Sequence, residues 1–154
     1  MSNTSAPRPG SSGGAATAII GLFSLIPYWL VALTARVALA QVFWSSAQTK
    51  LLSWQTTLYL FANSYKVPLL PPTFAAYMAT TIELVTPVLL VLGLATRVSA
   101  LVLLGETAVI EIFIYPKAWP VHIQWAAMLL VLMAQGGGVL SLDALIARWM
   151  KARR

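Results

Sequence analysis

No cysteine occurs in this chain, and its 154 residues hold one histidine, four acidic residues and ten basic ones. The missing thiols exclude structural disulfides, dithiol redox chemistry, thiolate metal centres and covalent c-type haem attachment. A lone histidine, His122, excludes bis-histidine haem, and without thiols neither haem nor a dedicated metal site is expected. Charge is scarce too: 9% of residues are charged, against about 25% in soluble domains. With 59% hydrophobic residues and a mean hydropathy of +0.80, the chain reads as an integral membrane protein. The net charge of +6 and pI near 10.1 would suggest nucleic acid in a soluble domain. Here they become signals of topology, and no nucleic-acid partner is expected.

What the chain has instead is long apolar runs. A spanning helix needs about 20 mostly apolar residues, and four windows qualify: 25–47, 73–92, 98–114 and 121–139. The expected fold is an all-α membrane protein, a four-helix transmembrane bundle over residues 25–139. Residues 1–24 begin with a Ser/Gly/Pro/Ala-rich run too poor in apolar residues to fold, and read as a disordered cytoplasmic tail. The apolar segment that follows is of full spanning length with no short core before a small-residue cleavage site, so the first span reads as an uncleaved anchor. Four spans put both ends on one side, with Arg8, Arg97, Arg148, Lys151, Arg153 and Arg154, against Lys50, Lys66 and Lys117 opposite. That bias places both termini in the cytoplasm of a multi-pass protein.

Two shorter amphipathic segments flank the bundle. Leu51, Trp54, Leu58, Phe61 and Tyr65 recur at helical spacing between spans one and two, in a helix too short to cross. It is expected flat on the outer interface or tucked over the bundle, as a seal or as a lid over a lateral opening, and is ended by Pro68, Pro71 and Pro72. At the other end, Gly136, Gly137 and Gly138 break the last span and Ser141 can cap a new helix, with Asp143 in its first turn. Within residues 140–154, Leu142, Leu145, Ile146 and Trp149 form a stripe beside Arg148, Lys151, Arg153 and Arg154. This basic tail helix suits an anionic membrane surface, or docking of a soluble partner.

Arg36, Glu83 and Glu106 each lie deep in a different apolar window. At a rise of about 1.5 Å per residue they sit roughly 16, 14 and 12 Å in from the cytoplasmic face, so they are expected to share a layer, with Arg36 meeting Glu83 or Glu106. Ala32, Ala40, Phe43 and Ala47 share the Arg36 face and are mostly small, which allows close helix approach. Pro87 cannot donate to the Glu83 carbonyl, so a kink is expected there. Thr73, Tyr77 and Thr80 form a polar track leading to Glu83. Glu111 stands about 140° around the helix from Glu106, with Lys117 or His122 as candidate partners. One arginine against two carboxylates leaves surplus buried negative charge, so at least one glutamate is expected protonated. Such a group suits proton relay or a carbonyl-bearing ligand such as a quinone; an ion-pair pin fixing helix register is the structural alternative. His122 and Trp125 could supply a quinone contact or a proton entry point, or simply belong to an interfacial aromatic belt.

Arg36 followed by Lys50, Val67-Pro68, Glu83 followed by residues 90–97 (LVLGLATR), Tyr115-Pro116, His122 with Trp125, and 138–143 (GVLSLD) together resemble the DoxX family over about residues 30–148. The chain departs from that pattern at Ser46, where many relatives carry glycine. The resemblance implies a four-helix bacterial inner-membrane protein related to the membrane subunit of thiosulfate:quinone oxidoreductase. Arg36, Glu83 and His122 match recurrent polar positions of the family; Glu106 and Glu111 rest on depth alone.

The function expected is a membrane subunit of a quinone-linked oxidoreductase or stress-response complex. Arg36, Glu83 and Glu106 would be its reactive constellation, and Tyr77, Thr80, His122 and Trp125 its quinone contacts. Electrons would come from a soluble or membrane redox partner. The rivals are a scaffold recruiting soluble proteins, with the buried charges serving stability, and a small-solute or ion transporter, for which a homodimer would double the few spans.

Overall fold

The computed structural model describes Gly21 and residues 25–65 and 67–154; the expected N-terminal tail, Arg8 and Lys66 lie outside the described residues. Every regular element among the described residues is helical. Helix α1 (Tyr28–Leu52) starts behind Pro27, whose extended ψ of 143° turns the chain into the first helical residue. It continues past the expected end at Ala47 because its polar residues find partners one turn back: the Thr49 hydroxyl donates to Ser45 O and Lys50 Nζ to Ser46 Oγ. Ser53 then breaks the helix in an extended conformation, and its hydroxyl accepts from Thr56 N to cap α2 (Trp54–Leu60).

The amphipathic stretch after the first long helix is therefore two pieces, α2 and a π-helical turn at Phe61–Tyr65. It is tucked over the bundle, the second of the two placements its spacing allowed. Phe61 is buried with Ala75 and Ala76 of the next helix, and the Trp54 and Tyr77 rings lie 4.7 Å apart.

Helix α3 (Pro72–Leu92) carries proline in its first turn, where a missing N–H is harmless, and runs on through Pro87. Gly93 ends it with φ +67°: its N–H bonds Leu90 O and the Leu94 N–H bonds Leu89 O, a glycine-dependent helix stop. After this tight turn α4 (Thr96–Val109) runs back and passes into a second π-helical turn at Ile110–Ile114, closed by Tyr115 N–H to Ile110 O at 2.8 Å. Helix α5 (Trp119–Gln135) stops at Gly136, and α6 (Leu142–Ala152) is capped by the Ser141 hydroxyl, which accepts from Ala144 N.

Helices α1, α3, α4 and α5 pack in a closed ring, each against the next and α5 back against α1. Leu39, Phe43, Leu90, Leu103, Leu129 and Leu132 fill its interior, and buried Ala32, Ala35 and Ala100 let the backbones approach. The outward faces stay apolar, with Val37, Val88, Leu101 and Leu130 exposed, as a membrane-facing surface requires. Two of these helices, α1 and α3, are long and apolar enough to cross a membrane.

Candidate functional site: an apolar cavity with a few polar side chains

Arg36 is 1% exposed, yet neither glutamate is its partner. Its Nε donates to Leu90 O at 2.6 Å, its Nη2 to Val91 O at 2.6 Å, and its Nη1 to Gly137 O and Leu140 O, both at 3.0 Å. The expected Arg36–Glu layer does not form, and the reason lies in side-chain direction. Residues on a helix lean toward its N-terminus, so Arg36 on α1 reaches toward the Gly93 end while Glu83 on antiparallel α3 reaches the opposite way. At the Gly93 end the last α3 carbonyls lack helical partners, and a guanidinium with a fork of donors suits them in geometry and in sign. Asp143 does the converse for α4, whose first residues have no side-chain cap: its Oδ1 accepts from Ala95 N at 2.7 Å and its Oδ2 from Thr96 N at 2.9 Å. Tyr28 adds a hydroxyl bond to Gly136 O at 2.6 Å.

Glu83, also 1% exposed, is held by Lys50 instead. Both carboxylate oxygens lie 2.7 Å from Lys50 Nζ, which also donates to Ser46 Oγ at 2.9 Å. Ser46, the departure from the family pattern, thus takes one of the ammonium group's three N–H bonds.

This pair lies on the wall of a partly open cavity of about 660 Å³ lined by α1, α3, α4 and α5 and by α2 and the first π-helical turn. Glu106 and Gly105 face it from α4, His122 and Trp125 from α5. Both Glu106 carboxyl oxygens are buried and have no hydrogen-bond partner among the described residues. Toward the Lys50 end, His122 Nδ1 lies 2.5 Å from Glu111 Oε2, and the His122 and Trp125 rings are 4.9 Å apart. The hydroxyls of Tyr65, which ends the first π-helical turn, and of Tyr115, which follows the second, meet at 3.3 Å on the same wall. Burial, reinforced by the Tyr115 hydroxyl, pushes the Tyr65 phenol above its usual range, so it stays a neutral hydrogen-bonding group.

Of the residues singled out in the sequence, Glu83, Glu106, His122 and Trp125 meet around this cavity. Arg36 lies at the other end of the bundle. Tyr77 is exposed against Trp54, and the Thr80 hydroxyl is turned back onto Ala76 O, so neither reaches the cavity. The sequence marks Lys50 as a loop charge for topology and as part of the DoxX resemblance, but not as a site residue; its position one turn after Ser46 is the available signal. The α1 stripe Thr34, Gln41, Ser45 and Gln48 is exposed and largely satisfied within the helix, Thr34 on Leu30 O and Gln41 on Ser45 Oγ, so it faces outward.

The DoxX family model matches residues 31–116, more than half of the chain and the stretch that carries Arg36, Lys50, Glu83, Glu106 and Glu111. The chain belongs to the DoxX family. It is accordingly a membrane protein, with an all-helical DoxX fold among its described residues. No curated protein and no solved structure matches it. His122 and Asp143, which complete the cavity and the Gly93 end, lie beyond the matched DoxX segment.

Proposed function

We propose that this DoxX protein crosses the bacterial inner membrane four times with both termini cytoplasmic, and serves as the quinone-binding membrane subunit of an oxidoreductase. The observation that carries the reading is the cavity: an apolar and aromatic chamber of about 660 Å³ onto which Lys50, Glu83, Glu106 and His122 converge. Its volume is within the roughly 300–1,000 Å³ of small-molecule sites, and a few placed polar groups on an apolar wall are what such sites present.

A quinone bound there would supply paired electron and proton exchange. Glu106, whose carboxyl oxygens have no hydrogen-bond partner among the described residues, would orient a ring oxygen, and the aromatic wall at Phe43 and Trp125 would take the ring edge-on or face-on. Lys50 fixes the charge of Glu83 in place of Arg36. The Glu111–His122 pair lies at the Lys50 end of the same space and is placed to pass protons between cavity and surface. Electrons would come from a partner. The exposed stripe of Leu145, Ile146 and Trp149 on α6, beside Arg148 and Lys151, suits an anionic leaflet.

The reading is tested by purifying the protein in mild detergent and measuring extracted quinone by its ultraviolet absorbance. Near-stoichiometric quinone is expected in the natural protein, with at least a tenfold fall in Glu83→Gln and Glu106→Gln. Undiminished quinone in both variants, or none in the natural protein, counts against it.

A further inference from the structure

We propose that the same cavity is a binding site for lipophilic monovalent cations, hydrophobic ammonium or phosphonium compounds, with Glu106 as their counter-charge. This goes beyond the quinone reading, with which it shares the cavity and the unpartnered Glu106 carboxyl, and adds a further observation, the assignment of every neighbouring basic group to another partner. Lys50 has three N–H donors and all three are taken, by both oxygens of Glu83 and by Ser46. His122 faces Glu111. Arg36 is committed to four carbonyls at the far end of the bundle, by the lean of its own helix. Among the described residues the only close acid–base contacts are Lys50–Glu83 and His122–Glu111, which leaves the buried carboxyl oxygens of Glu106 with neither a basic partner nor a hydrogen bond.

A carboxyl in that state, set in an apolar wall, gains most from a ligand that brings positive charge without demanding water. The wall supplies the rest of such a ligand's recognition. Phe43, Phe61 and Trp125 border the cavity, and aromatic faces attract a cation while covering its hydrocarbon substituents. A small, strongly hydrated cation fits poorly, because this wall cannot replace its hydration shell; a cation buried within its own apolar groups has little hydration to lose. Gly105, next to Glu106 on the wall, keeps that stretch of α4 low, and a Cβ built there meets nothing within 4 Å.

The test uses the purified full-length protein in detergent and two probes of similar shape, tetraphenylphosphonium and neutral triphenylphosphine oxide, followed by equilibrium dialysis. The natural protein is expected to bind the cation saturably and at least tenfold more tightly than the neutral probe. Glu106→Gln should lose that preference while keeping its elution volume and melting temperature, and Glu106→Asp should retain most of it. Gly105→Leu, which fills open space on the wall, should weaken both probes. Equal binding of the two probes by the natural protein, or an unchanged preference in Glu106→Gln, overturns the proposal. Quinone that stays bound under saturating phosphonium also overturns it; cation binding in a protein that carries no quinone upholds it and removes the quinone reading instead.

Discussion

At the scale of single residues, charge placement follows the direction in which side chains leave their helices more closely than the depth of their Cα atoms. Arg36 and Glu83 were rightly read from the sequence as buried, since each interrupts an apolar window and both are 1% exposed. Their pairing was misread because depth along a helix ignores the lean of the side chain, which for a long arginine carries the charge a turn or more toward the helix N-terminus. Lys50 obeys the same rule: it starts near the end of α1 and leans back toward the helix N-terminus, into the bundle, to reach Glu83. Lys50→Met therefore leaves a buried carboxylate alone, and a loss of about 3–5 kcal/mol is expected. The double change Lys50→Met with Glu83→Met removes both charges from an apolar setting and should recover most of that loss. Denaturant unfolding of the purified variants checks this; a double variant as unstable as the single one would show that the pair is not what holds these side chains.

At the scale of elements, the starts and stops were legible only in part, even where one residue sets the backbone. Ser141 is legible as a cap, whereas Pro72, expected to end the amphipathic segment, opens α3, and Gly93 stops that helix just past the expected window. The two π-helical turns were not legible, because their apolar spacing resembles that of an ordinary helix and their extra residue shows only in the hydrogen bonds. They matter for the cavity, since they bring Tyr65 and Tyr115 together. The linkage at the Gly93 end was equally hidden: Asp143 reads as a first-turn residue of its own helix, yet both its oxygens serve the start of α4, far away in sequence. Gly93 sits at the centre of this arrangement. A Cβ there would lie 2.5 Å from Ser141 Cβ and 2.8 Å from Arg36 Nη2, on a backbone with φ +67°. Gly93→Ala combines left-handed strain with overpacking, so a loss of more than about 2 kcal/mol is expected. Gly105→Ala, where a Cβ meets nothing, should cost no stability. Thermal unfolding in detergent distinguishes them, and equal melting temperatures would show that the Gly93 turn can yield.

At the scale of the whole molecule, the ring has two unlike ends, and that asymmetry ties architecture to function. The Gly93 end is closed by Arg36, Asp143 and Tyr28 on backbone groups, whereas the Lys50 end holds the cavity and the Glu111–His122 pair. Apolar windows made the four helices of the ring legible as helices, and two of them, α1 and α3, are long and apolar enough to cross a membrane. Which end faces which compartment is a separate matter, expected from a modest lysine and arginine bias, and it decides toward which side the proposed binding cavity would open. The absence of cysteine makes this directly measurable, since any single introduced thiol is unique. Arg97→Cys and Arg154→Cys mark the Gly93 end and Lys117→Cys the Lys50 end, all at exposed positions. In intact cells a membrane-impermeant maleimide should label Lys117→Cys at once, and the other two only after permeabilisation. Labelling of Arg97→Cys and Arg154→Cys in intact cells would invert the molecule and turn the cavity to the cytoplasm. Labelling on opposite sides for those two would break the four-crossing topology, and with it the membrane setting in which a quinone or a lipophilic cation reaches Glu106.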